Sequence, residues 1–191
     1  MRPCPYGTTG KCLYDDESWE NTSEGAFSVY HYSDIEGLES EEDVLNAYGA
    51  LYNWYAVEEG PQNICPQGFF PARDEDWVAL SNYLGGFEVA GHKLRSTRTE
   101  PDGHPRWDSP NDGATDEIGF AALPGFLRED TGLMHSENIG NSAYFWTSTS
   151  SGDNTAYWNS LSGQIESVYR HDGYNKNWGM SVRCVMALPV F

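Results

Sequence analysis

Residues 145–188 read FWTSTSSGDNTAYWNSLSGQIESVYRHDGYNKNWGMSVRCVMAL. Apolar and polar side chains alternate in short runs at 145–149, 156–161, 165–170 and 181–188, and Gly, Asn, Asp and Ser fill the gaps. A period of two bounded by turn formers predicts strands joined as a meander. Upstream the period changes. Ser40 stands before Glu41, Glu42 and Asp43, a cap residue followed by acids at the positive end of a helix dipole. Val44, Leu45, Tyr48, Leu51, Tyr52 and Tyr55 then recur at helical spacing, but Gly49 interrupts them, so the chain from Tyr48 onward could equally be extended. Asp74, Glu75, Asp76 and Trp77 open a second helix whose apolar face is Trp77, Leu80, Tyr83 and Leu84, and Gly85-Gly86 stops it. Two helices first and a meander last predict a single α+β domain over residues 1–191.

Composition narrows the function. The 191 residues carry 11 basic and 29 acidic side chains, a net charge of −18. Phosphate binding needs clustered Lys and Arg, so nucleic acid is not an expected partner. The acidity serves solubility or attracts cations. No run approaches the roughly 18 apolar residues of a membrane helix, so membrane insertion is not expected either. The start, Met1-Arg2-Pro3-Cys4, shows no apolar signal region. Four cysteines, Cys4, Cys12, Cys65 and Cys184, lack CxxC spacing, which favours disulfides over zinc. Three pairings are open. Sequence proximity makes Cys4–Cys12 with Cys65–Cys184 the economical one, and such bridges imply an oxidising compartment or a particle surface.

Eight segments in order carry a family resemblance: 48–56 (YGALYNWYA), 65–69 (CPQGF) with Asp76-Trp77, 84–86 (LGG), 90–95 (AGHKLR), 107–117 (WDSPNDGATDE), 119–125 (GFAALPG), 145–149 (FWTST) and 181–185 (SVRCV). Over roughly residues 48–186 the chain resembles the Fibrobacter succinogenes major paralogous domain family, with residues 1–47 as an N-terminal extension. That family is similar to C-type lectin-like domains, in the branch that includes formylglycine-generating enzymes. The resemblance implies a C-type lectin-like fold: two helices on small antiparallel sheets, long polar loops and neighbouring termini. It also supports Cys65–Cys184, because both cysteines lie in family motifs. Most of its members are described only as surface or secreted proteins, so the resemblance points outside the cell, to a cell or virion surface.

Fold alone does not give function. The C-terminal quarter also resembles the variable region of diversity-generating retroelement target proteins, whose mutable positions drift among Asn, Tyr, Ser, Asp, His and Gly. These types make up 22 of 38 residues from Asn141 to Trp178, against 57 of 153 elsewhere. Polar strands and turns favour the same types. If Leu161 points inward, alternation leaves Trp158 outward beside Ser160, Ser162, Gln164, Glu166, Tyr169, His171, Tyr174, Asn175 and Asn177. Tyr and Trp give contact area at low entropy cost, and Ser and Asn give adaptable hydrogen bonds. The expectation is a non-catalytic module binding a protein or glycan on another surface. Its core would be Trp54, Trp77, Phe120, Trp146, Val182 and Val185.

Residues 97–119 form a long polar stretch in which Asp108, Asn111, Asp112, Asp116 and Glu117 offer oxygen ligands suited to calcium. Their spacing is not that of an EF-hand, and a solvated loop explains them as well; no other cofactor is implied. An enzyme related to formylglycine-generating enzymes is the alternative, and it would need reactive thiols where Cys65 and Cys184 stand. A structural module without a ligand pocket is a third possibility.

Overall fold

A computed structural model of the chain describes residues 11–12, 15–58, 64–135 and 139–186. Its elements run β1 (Lys11–Cys12), α1 (Asp16–Glu20), β2 (Ala26–Ser28), α2 (Glu41–Tyr48), β3 (Leu51–Tyr52), α3 (Trp54–Val57), β4 (Phe69–Pro71), α4 (Asp74–Tyr83), α5 (Phe87–Leu94), β5 (Ser142–Ser150), β6 (Thr155–Ser162), β7 (Ile165–Asn175), β8 (Ser181–Val182) and β9 (Cys184–Met186). The fold is α+β. Three small sheets have the orders β1-β2-β3, β4-β9 and β7-β6-β5-β8. Expected neighbouring termini, and a Cys4–Cys12 bridge, fall on or depend on residues outside those described.

Local chemistry explains the helix boundaries. Ser40 Oγ accepts from Asp43 N–H at 3.1 Å, and Gly49 ends α2 at φ 78°, a conformation few L side chains adopt. The apolar spacing past Tyr48 therefore belongs to β3 and the short α3. Asn53 joins those two elements. Its buried Oδ1 accepts from Ala26 N–H at 2.8 Å and Ala56 N–H at 3.2 Å, so one side chain caps α3 and fixes β2. Asp76 caps α4 by accepting from Arg73 N–H at 2.8 Å. Tyr83, expected on the apolar face of α4, is instead 79% exposed, because the buried stripe runs through Trp77, Ser81 and Leu84, at i, i+4 and i+7, and Tyr83 lies off it. Helix α5 was hidden in the sequence: its eight residues include Gly91, a poor helix former. A Cβ at Gly91 would lie 2.3 Å from Ser167 O, so glycine lets α5 sit directly on β7.

The four-stranded sheet is covered on both faces. One face packs Phe145, Leu161, Val168 and Ala143 against Trp77, Leu84, Ala90 and Leu94 from α4 and α5. The other packs Trp146, Ala156 and Trp158 against Trp54, Val57, Leu127 and Met180. Of the expected core, Trp54, Trp77 and Trp146 are buried, while Phe120, Val182 and Val185 are half-buried and pack at its edge. Cys65 and Cys184, 119 positions apart in sequence, are bonded, and the bridge joins the segment before β4 to β9.

The polar stretch after α5 has no helix or strand, yet it is not loose. Trp107 is fully buried, and its Nε1 donates to Ala122 O at 2.9 Å. Arg95 is fully buried too. Its Nε donates to Asn111 Oδ1 at 3.0 Å, Nη2 to Asp112 O at 2.6 Å, and Nη1 to Ile165 O at 2.5 Å and to Ser162 O. One guanidinium thus pins the loop to the β6–β7 turn.

Candidate functional site

Strands β5, β6 and β7 bring a row of rings onto one face of the sheet. Trp146 pairs with Trp158, Tyr144 with Ser160, Trp158 with His171, Ser160 with Tyr169, and Ala156 with Tyr174. These positions share a face because side chains alternate along a strand. His171 stacks on Trp158 at 3.9 Å between ring centroids, Tyr174 on Trp158 at 4.5 Å, and Trp178 on Tyr174 at 4.3 Å. Tyr144 meets Trp158 at 6.1 Å, Tyr169 meets His171 at 6.1 Å, and His135 lies parallel to Trp178 at 6.5 Å. Such contacts contribute about 0.5–1.5 kcal/mol each beyond area burial. The row is therefore rigid, and a rigid surface loses little entropy when it binds.

The expected site residues fall into two groups. Gln164, Glu166, Tyr169 and Asn175 are exposed, Tyr169 by 44%. Ser160, Ser162, His171 and Tyr174 are half-buried. Two expectations are corrected. Trp158 does not face solvent; it is 5% exposed, because His171 and Tyr174 lie over it while Trp54 and Trp146 belong to the same core cluster. Leu161 does point inward as expected, but the opposite face is covered as well near Trp158, and it emerges only toward Ser160 and Ser162. Asn177 is 8% exposed and structural. Its Nδ2 donates to the carbonyls of Thr22 at 2.7 Å, Glu20 at 3.2 Å and Trp19 at 3.3 Å, clamping the end of α1.

Residue spacing along one strand could not reveal Tyr144, Trp178 and His135, which reach the row from other segments. A tryptophan so close in sequence to Tyr174 was the available signal for Trp178.

The basic side chains of this segment, Arg170 and Lys176, are already engaged. Arg170, on the opposite face of β7, is held by Asp74 through bonds of 2.6 and 2.8 Å and lies over Tyr157. Lys176 is buried over Trp54 and donates to Asp153 O at 2.9 Å. Burial pushes the His171 imidazole below its ordinary value, partly opposed by Asp172, and Ser160 Oγ lies 3.2 Å from its Nε2.

Four of the five loop residues expected to suit calcium have side-chain partners within the protein. Asn111 is taken by Arg95 and Ser96 O, Asp116 accepts from Ala121 N–H at 2.7 Å, Glu117 pairs with Lys93 at 3.3 Å and Asp108 with Arg106 at 3.6 Å. Asp112 contributes its backbone carbonyl to Arg95. Among the described residues no three His, Cys, Asp or Glu side chains gather around a common point.

A disulfide-tied α+β domain with a ring-lined sheet face is the class these features define. The chain matches the model of the Fibrobacter succinogenes major domain over residues 11–186, and it belongs to that family. The match begins at residue 11, ahead of the segment around Tyr48 where the resemblance in the sequence starts. No curated protein and no solved structure matches the chain.

Proposed function

We propose that this domain is a non-catalytic binding module on a C-type lectin-like scaffold. It presents the β5–β6–β7 face to a protein or glycan ligand carried by another surface, outside the cell. The observation that carries this reading is the row Tyr169, His171, Tyr174 and Trp178, stacked over the buried Trp158 and edged by Ser160, Ser162, Gln164, Glu166 and Asn175. Rigid rings beside short polar side chains are the chemistry of adaptable recognition surfaces. A scaffold held by the disulfide, Arg95 and two tryptophan-rich cores tolerates change at exposed strand positions, where substitutions usually alter stability by under about 0.5 kcal/mol. We therefore place sequence diversification, if a retroelement acts on this gene, at Gln164, Glu166, Tyr169 and Asn175. The bonded state of Cys65 and Cys184 supports binding over formylglycine-type chemistry, which needs free thiols.

The test is binding of the fluorescently labelled domain to an immobilised glycan panel and to intact cells. Replacement of Gln164, Glu166, Tyr169 and Asn175 together should abolish the wild-type signal while leaving the melting curve in place. A quadruple variant that binds like wild type would remove the sheet face from the account.

A further inference from the structure

On the other side of the sheet, a cleft of about 410 Å³ opens between α4, the segment at Gly119-Phe120 and β8–β9. Its walls are Trp77, Leu80, Phe120 and Val185, and Arg183 stands among them. That volume lies in the range of small-molecule sites. Arg183 is the unusual member. Its guanidinium carbon sits 4.5 Å from the Phe120 ring centroid and 5.7 Å from that of Phe145. Nη2 donates to Ala121 O at 3.2 Å, and among the described residues the side chain makes no ion pair. Elsewhere, Arg73, Arg106, Arg128 and Arg170 each meet a carboxylate. The buried Arg95 has no carboxylate either, but Asn111 and three backbone carbonyls satisfy it, whereas Arg183 keeps a single hydrogen bond among the described residues.

Two donors on side chains that line the cleft lack partners among the described residues, as do Trp19 Nε1 and Trp158 Nε1 elsewhere. Arg183 Nε and Trp77 Nε1 are shielded from solvent and bond to nothing among the described residues. Buried donors are rarely left so unless a water or ligand completes them. Two carboxylates are near: Asp76 lines the cleft and caps the helix by accepting from Arg73 N–H, and Asp116 acts on the Arg183 charge through space. The floor is stiff: Ala72 N–H donates to Arg183 O at 2.7 Å, and the Cys65–Cys184 bridge abuts it.

We propose that this cleft is a second ligand site, for a small organic acid that lays a flat apolar body between Trp77, Leu80, Phe120 and Val185 and gives its carboxylate to Arg183. The site is independent of the sheet face and stands whether or not that face binds anything. A planar guanidinium backed by rings matches a carboxylate through paired N–H donors, which a neutral amide cannot exploit to the same degree.

The probe is indole-3-acetate, titrated into the full chain by calorimetry, with indole-3-acetamide as its uncharged counterpart. Saturable one-to-one binding of the acid is expected, at least about tenfold tighter than that of the amide. Arg183→Gln should reduce it by at least about tenfold. Should that variant fail to fold, Leu80→Trp fills the cleft and leaves the guanidinium in place, and it should abolish binding equally. No saturable binding, equal affinity for the amide, or undiminished binding to either folded variant would overturn the site.

Discussion

Replacing Arg95 with Met should cost the fold more than any surface charge change in this chain. The side chain is fully buried and gives three nitrogens to four acceptors: Asn111 Oδ1 and the carbonyls of Asp112, Ser162 and Ile165. Methionine fills much of the same volume and donates nothing. Each acceptor left buried and unbonded costs about 1–3 kcal/mol, and water will reach some of them once the loop loosens. Removing one partner of a buried charged network typically destabilises by about 3–5 kcal/mol. For a chain of this size each kcal/mol shifts the melting temperature by about 2–4 °C, so Arg95→Met should melt about 6–20 °C lower. Arg95→Lys, with one donor group at the end of a flexible stem, should fall between. Calorimetry measures the shift, and limited trypsin digestion should show earlier cleavage at Arg98 and Arg106 within the freed loop. A methionine variant that melts within about 2 °C of wild type would show that Trp107 and the chain's own turns hold the loop, and that the guanidinium is incidental.

Reducing the Cys65–Cys184 bridge, or replacing both residues by Ala, should lower stability by about 5 kcal/mol on the loop-entropy relation for a loop of this length, read as a fall of about 10–20 °C in a melt with and without reductant. Stability should also fall between pH 7 and 5. Burial depresses His171, and also His104, so the unfolded chain takes up protons first, from about pH 6.5 downward; the contribution is full above that and is lost as pH drops toward the folded value. His171→Phe keeps a ring over Trp158 and should flatten the melting temperature against pH, whereas an unchanged slope would assign it to other groups. Removing divalent ions with EDTA, then adding millimolar calcium, should leave the melting curve in place, since Asp108, Asn111, Asp116 and Glu117 are each spent on separate partners; a clear rise would mean that the loop rearranges around an ion.

Much of this fold was legible because local and tertiary signals agree. Ser40 and the acids of α2 and α4 mark helix starts whatever packs on them, and alternation from Phe145 onward locates the strands of the meander. Helix α5 was not legible, because Gly91 argues against a helix and is needed for contact with β7, a partner about 75 residues later in sequence. Trp158 was misplaced for a related reason. Alternation assigns a side chain to a face, but not what covers that face; both faces of β6 are packed here, and the cover over Trp158 comes from His171 and Tyr174. Asn177 looked like one more polar residue in a variable stretch, and its role depends on three carbonyls more than 150 residues earlier. The row of rings was half visible: Tyr169, His171 and Tyr174 lie in one strand, whereas Tyr144, Trp178 and His135 join it only in three dimensions.

The stacked positions also set which substitutions can probe the proposed surface. His171 and Tyr174 lie on Trp158 and would alter the core, whereas Gln164, Glu166, Tyr169 and Asn175 are exposed; Asn175 Oδ1 also accepts from Asn177 N–H at 3.1 Å, so Asp, which keeps that acceptor, is the change to make there. The most direct measurement compares the wild-type domain, the variant changed at those four positions of β7 and the turn before it, and a variant carrying four exposed changes at Glu75, Asn82, Tyr83 and Gly103, on the same glycan panel and intact cells. The proposed binding face predicts that wild type and the control variant bind alike, and that the strand variant loses at least about tenfold in affinity while melting within about 3 °C of wild type. Binding by none of the three, or retained binding by the strand variant, would contradict it.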